Sequence, residues 1–265
     1  MHLVKQSKVK SKSHKDYPLA MVKFMDRLRN ELHTSINIDD FDAQRNLLLG
    51  IAETIYSEKG PLASTTSPNA KVRFLHNLAM ELSEVVSGYE MLLNFPSLTQ
   101  STPSKANRLS KADLVNFWHE SYLNEYYIFL NRLLAFLRKI EKYYKRDSRF
   151  SRMPIVIKNM REFIYNENDA FLKNRGKHVH QTRFRNLILE GRRLSLLEEL
   201  INFKHFHRLR PIYLKSLREF KKLSLNYIKS ETKNAKIVLT VIFRVLTRII
   251  TRNNGIIYPD YLLKN

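Results

Sequence analysis

Between Leu114 and Lys145 no glycine or proline interrupts the chain, while Leu114, Phe117, Trp118, Tyr122, Phe129, Leu133, Phe136 and Ile140 recur at helical spacing. Residues three, four and seven apart share one face of an α-helix, so this segment is an amphipathic helix and is expected to be the longest in the chain. The same periodicity continues elsewhere. Leu19 to about His33 carries Val22, Met25, Leu28 and Leu32, and Asn37, Asp39 and Asp40 offer caps for a helix through Leu47, Ile51 and Ile55. A helix from about Ala70 to Asn94 carries Phe74, Leu78, Leu82, Val85 and Val86. Pro154 suits the first turn of another, through Ile157, Met160, Ile164 and Phe171. Further helices are expected over about Arg185–Phe203, Pro211–Ser230 and Asn234–Arg252. No strand-like alternation competes with these patterns, and no fixed repeat is visible. The fold class is therefore all-α, a multi-helix bundle.

Only 6 Gly and 8 Pro punctuate the 265 residues, and they fall mostly between helical patterns. Residues 1–17 read as a disordered basic tail, Lys/Ser-rich and without apolar periodicity. Residues 18–112 form an N-terminal helical region, and residues 113–265 a helical bundle. The longest polar connection is residues 96–112, and Ser110 or Asp113 is placed to cap the helix that follows.

Lys plus Arg number 46 against 25 Asp plus Glu, a formal net charge of +21. Such excess repels itself in a compact state, and an anionic surface relieves the repulsion. Nucleic acid, with RNA favoured, is the partner this charge points to; attachment to anionic membrane through the Lys-rich N-terminus is a weaker option. Cys is absent, which excludes disulfides, thiolate metal sites and cysteine nucleophiles and fits a reducing cytoplasm. No secretory signal pattern opens the chain. The most apolar stretch, Ile237–Ile250, is short and interrupted by Arg244 and Arg248, so no integral membrane span is expected. Glycine-rich phosphate loops are missing, and His119-Glu120 lacks the second His of a zinc-hydrolase helix. The pairs His178/His180 and His205/His207 have no accompanying carboxylate, so no metal or other cofactor is expected.

The remaining concentration of chemistry is residues 171–184, FLKNRGKHVHQTRF. Arginine grips phosphate bidentately and histidine moves protons near neutral pH, the two abilities that metal-free RNA cleavage requires. Arg175 is a candidate phosphate-gripping cation and His180 a candidate proton carrier. In regular helix they would be turned about 140° apart, whereas His178 shares a face with Arg175, so His178 is an alternative proton carrier and Gly176 a place to re-aim the chain. Lys173, Lys177, Arg183 and Arg185 are candidate phosphate contacts. Glu125, between Tyr122 and Phe129 on the apolar stripe, either orients this group or satisfies an ion pair, and Arg132 recurs on its face. Tyr126, Tyr127, Tyr143 and Tyr144 are readable either as core or as base-stacking platforms.

The R-x4-H spacing of Arg175 and His180, late in a long helical chain, resembles the motif of HEPN domains (higher eukaryotes and prokaryotes nucleotide-binding), over about Leu114 to Phe203. The resemblance implies a dimeric helical bundle and a metal-independent endoribonuclease of toxin or defence type. Its cleft would be shared by two protomers, with a protein inhibitor as a further partner. The alternative reading is a non-catalytic basic helical adaptor that binds nucleic acid or a protein.

Overall fold

A computed structural model describes residues 16–35, 70–98, 111–168, 180–202, 207–252 and 255–263. Six α-helices are present among them: α1 (Leu19–Ser35), α2 (Ala70–Leu98), α3 (Lys111–Tyr144), α4 (Met153–Glu167), α5 (His180–Asn202) and α6 (Arg210–Ile250). Side chains of α5 are described from Leu189 onward. A two-stranded antiparallel hairpin, β1 (Thr251–Arg252) and β2 (Gly255–Ile256), follows α6. The fold is all-α. The expected helix over residues 37–55, the N-terminal tail and most of the connection over 96–112 lie outside the described residues.

The principal core is apolar and heavily aromatic. Phe24 of α1, Phe136 of α3 and Phe243 of α6 meet with ring centroids 5.3–6.4 Å apart, and each is fully buried. From α2, Phe74, Leu78, Leu82, Val85, Tyr89, Leu92 and Phe95 add a continuous buried face. α2 and α3 can come close because Gly88 has no side chain: a Cβ there would lie 3.3 Å from the Phe129 backbone. Arg132–Glu84 and Lys139–Glu81 ion pairs, at 3.2 and 3.3 Å, line the solvent edge of the same contact. Arg132 therefore finds an ordinary helix–helix partner. α1 buries Met21, Phe24 and Leu28, while the expected Val22, Met25 and Leu32 are only half-buried, so its inward face is rotated slightly from the expected one.

A smaller core joins the start of α3, the middle of α5 and the start of α6, through Ala112, Leu194, Ile201, Tyr213 and Phe220. Glu198 of α5 accepts a hydrogen bond from the Lys111 backbone N–H at 3.0 Å and another from the Tyr213 hydroxyl. A carboxylate at a free first-turn N–H is stabilising, because four such donors at a helix start have no partner within the helix. Asp113 lies inside the first turn of α3, not at its cap, and accepts from the Ser195 hydroxyl.

The largest departure from expectation is α6. Two helices were expected, over Pro211–Ser230 and Asn234–Arg252; instead one helix of 41 residues runs through, and it exceeds the 34 residues of α3. Polar residues around Ser230–Asn234 suggest a break, yet Glu231 and Thr232 are buried on the helix face and Thr232 Oγ1 returns a hydrogen bond to the Ile228 carbonyl. With neither Gly nor Pro between Ile212 and Ile250, nothing in the backbone demands a stop. Phe117, expected on the α3 stripe, is 52% exposed. The hairpin after α6 was also not expected. It turns the C-terminal segment back onto the end of α3, where the Tyr144 hydroxyl donates to the Ile257 carbonyl at 2.7 Å. Asp147 accepts from the Arg149 side chain and from the Asp260 backbone N–H, and this holds its carboxyl down at about 2.

Because α6 is continuous through residue 233, Lys233→Pro removes a hydrogen bond in mid-helix. Urea unfolding should show a loss of about 3 kcal/mol or more, where a loop at that position would give a change within about 0.5 kcal/mol.

Candidate functional site

Of the sequence-derived candidates, Arg175, His178, Lys173 and Lys177 lie outside the described residues. His180 begins α5 and Arg183 and Arg185 follow on it, with side chains that are likewise outside. Glu125 is described. It sits half-buried at the edge of the α3 stripe, whose centre is Tyr122, Tyr126 and Phe129, and it makes no ion pair with a described residue. The geometry that would join Glu125 to Arg175 and a histidine is therefore not on the described surface.

What the structure does place is the end of the helix that precedes the motif segment. Asn168, 3% exposed, ends α4, with its backbone and side-chain nitrogens donating to the Ile164 carbonyl at 3.1 and 2.9 Å. Its Oδ1 accepts from the Tyr126 hydroxyl at 2.8 Å. That bond settles the role of Tyr126 as core, as full burial does for Tyr144. Tyr143 packs edge-on against Phe74 at 4.9 Å, again a core role.

One turn before Tyr126, Tyr122 belongs to a polar seam between α3 and α6 that periodicity did not reveal. His119 Nδ1 lies 3.1 Å from Ser224 Oγ, and the Tyr122 hydroxyl 3.1 Å from Thr232 Oγ1. Glu231 is buried nearby, with Asn234 donating to it at 3.4 Å. The available signal was spacing: Ser224 and Thr232 are two turns apart, and His119 precedes Tyr122 by one turn. His119 and Ser224 are 2% and 3% exposed, so no substrate reaches the pair. Burial lowers the His119 pKa to about 4, which keeps the ring neutral at physiological pH and makes it a structural hydrogen-bonding group. Among the described residues no cluster of three His, Asp or Glu is positioned to hold a metal ion, and no helix is long and apolar enough to cross a membrane.

The accessible chemistry lies on the other side of α6. This helix carries ten Lys or Arg and two Glu. At 100° per residue, Lys215, Arg218, Lys222, Lys229, Lys233 and Lys236 fall within about 60° of arc, while Glu219 and Glu231 fall outside it. All six are exposed or half-exposed, and none forms an ion pair among the described residues. Neighbours on this face are about 4.5–10.5 Å apart along the axis, close enough to repel through solvent at physiological ionic strength. A hollow of about 500 Å³ lined by Arg210, Lys215 and Arg218 lies at the start of the row. At the other end, a groove of about 310 Å³ between α1 and α6 is lined by Lys23, Arg27, Arg244 and Arg248. Composition foretold the charge; only the continuity of α6 aligns it.

No family model, curated protein or solved structure matches the chain.

The buried neutral histidine has a measurable consequence. An unfolded His binds its proton near 6.5 and the folded His119 only near 4, so the stability it contributes is complete above about 6.5 and is lost as pH falls toward 4. His76, also buried and lowered, acts in the same direction. The unfolding free energy from denaturant titration should drop across that window by an amount on the order of 3 kcal/mol for His119, and His119→Gln should flatten the slope.

Proposed function

We propose that this chain is an RNA-binding protein that holds single-stranded RNA along the exposed cationic face of α6. The observation that carries the reading is the single row of cations from Lys215 to Lys236, free of carboxylates within its arc, on one uninterrupted helix. A row of that kind matches an elongated polyanion better than a compact ligand, because each cation meets a different phosphate and each contact releases counterions. Tyr122, Tyr126 and Tyr144 of α3 do not join it, since they are buried. Binding by this face is thus electrostatic and tolerant of sequence. The resemblance of the Arg175–His180 segment to RNA-cleaving helical domains favours RNA over DNA.

Affinity for single-stranded RNA should fall steeply between about 50 and 200 mM salt, with a log–log slope of about −0.7 per phosphate contacted. Replacing Lys229, Lys233 and Lys236 with Gln should reduce that slope by roughly 2 and weaken binding to all sequences alike. RNA binding that is absent at low salt, or a slope unaltered by the three substitutions, would remove the proposal.

The catalytic extension is tested on the same sample. Cleavage in EDTA that leaves a 2′,3′-cyclic phosphate, and that His180→Ala abolishes without loss of helicity, assigns the proton transfer to His180 and makes the protein a metal-independent endoribonuclease. Loss with His178→Ala instead moves the role to that residue. RNA that is bound but uncut across a broad panel leaves the non-catalytic adaptor.

A further inference from the structure

The groove between α1 and α6 differs from the rest of the cationic surface because two helices build it. Lys23 and Arg27 are one turn apart on α1, as are Arg244 and Arg248 on α6, and the four face one volume of about 310 Å³. Each pair is a like-charge i,i+4 pair, which is unfavourable on its own helix, and apposition doubles the problem. The acids nearest along α1 do not relieve it: Asp26 pairs with Arg29 at 2.6 Å, and Glu31 with Lys71 at 2.5 Å. On α6, Glu231 is buried against Asn234. Arg27 is held in place by donating to the Thr251 hydroxyl at the start of the hairpin. Thr247 lines the same groove, and its hydroxyl has no hydrogen-bond partner among the described residues.

Four cations lining one groove, with no carboxylate among its described lining residues, suit a ligand that concentrates several negative charges in a small volume. We propose that this groove is a binding site for a compact polyphosphate group, such as the triphosphate of a nucleotide or of an RNA 5′ end. Guanidinium groups are preorganised forks for phosphate oxygens, and three of the four cations are arginine. A monophosphate in a chain backbone carries one charge and engages this groove weakly; a di- or triphosphate engages both helices at once. The site stands on its own geometry and does not depend on RNA lying along the middle of α6.

The test uses inorganic tripolyphosphate and the full chain in isothermal titration calorimetry. Wild-type protein should bind it with one-to-one stoichiometry, and the double variant Arg27→Gln/Arg244→Gln should bind about tenfold more weakly or worse. Both positions face solvent or the groove, and circular dichroism establishes that the variant is folded. The variant with Gln at Lys229, Lys233 and Lys236 should keep wild-type affinity, so that failure of the RNA reading and failure of this one are distinguished. A second arm compares single-stranded RNA bearing a 5′-triphosphate with the same RNA bearing a 5′-hydroxyl. Preference for the triphosphate, lost in the double variant, identifies an RNA end as the source. Equal affinity for the two RNAs with tripolyphosphate binding retained identifies a free nucleotide. Tripolyphosphate binding that is non-stoichiometric, or that is unchanged in the double variant, overturns the proposal.

Discussion

Burial of one face of α6 is the contact on which the remaining helices depend. Phe243 meets Phe24 and Phe136 in the principal core, and Tyr213 and Phe220 reach the smaller core at the opposite end of the same helix. Burying a large aromatic side chain is worth several kcal/mol, and three of them in mutual contact position α1, α3 and α6 against one another. The two cores share no residues, so the backbone of α6 is one of the elements connecting them, together with α3. The price of one helix serving both is that its outward face must remain in solvent along its entire length, and it is there that the cations are found.

The same helix separates two kinds of polar chemistry. On its inner side lie His119–Ser224 and Tyr122–Thr232, neutral hydrogen-bonded pairs in a low-dielectric seam. On its outer side lie charges in water. The inner groups give the α3–α6 interface directional contacts that apolar packing lacks, and an unmatched hydroxyl or ring nitrogen there would cost more than its bond returns. Neither set requires the other, which is why a row of exposed cations can sit on a helix that also carries much of the fold.

Most of the helical content was legible in the sequence, because Leu, Phe and Tyr at three- and four-residue spacing mark buried faces whatever they pack against. Helix α4 carries Pro154 in its first turn as its fixed backbone angle suggests, and α2 begins at Ala70 as expected. What failed was the reading of polar residues. Ser230, Glu231, Thr232 and Asn234 looked like an interruption because such residues usually compete with helix formation. Here Thr232 bonds back to its own helix and Glu231 is buried, so tertiary contacts override the local preference. Tyr126 was ambiguous for the opposite reason: a tyrosine stripe suits both a core and a stacking platform, and only the bond to Asn168 decides it. Of the candidate site, the net charge was plain from composition, but its alignment was not, since a break near residue 232 would have split the row into two unrelated directions.

Continuity of α6 also makes it a ruler. A helix advances 1.5 Å per residue and does not stretch, so Lys215 and Arg244 are held about 44 Å apart along the axis whatever the solution conditions. Any single ligand that touches both must be at least that long, and a shorter one can occupy only part of the scale.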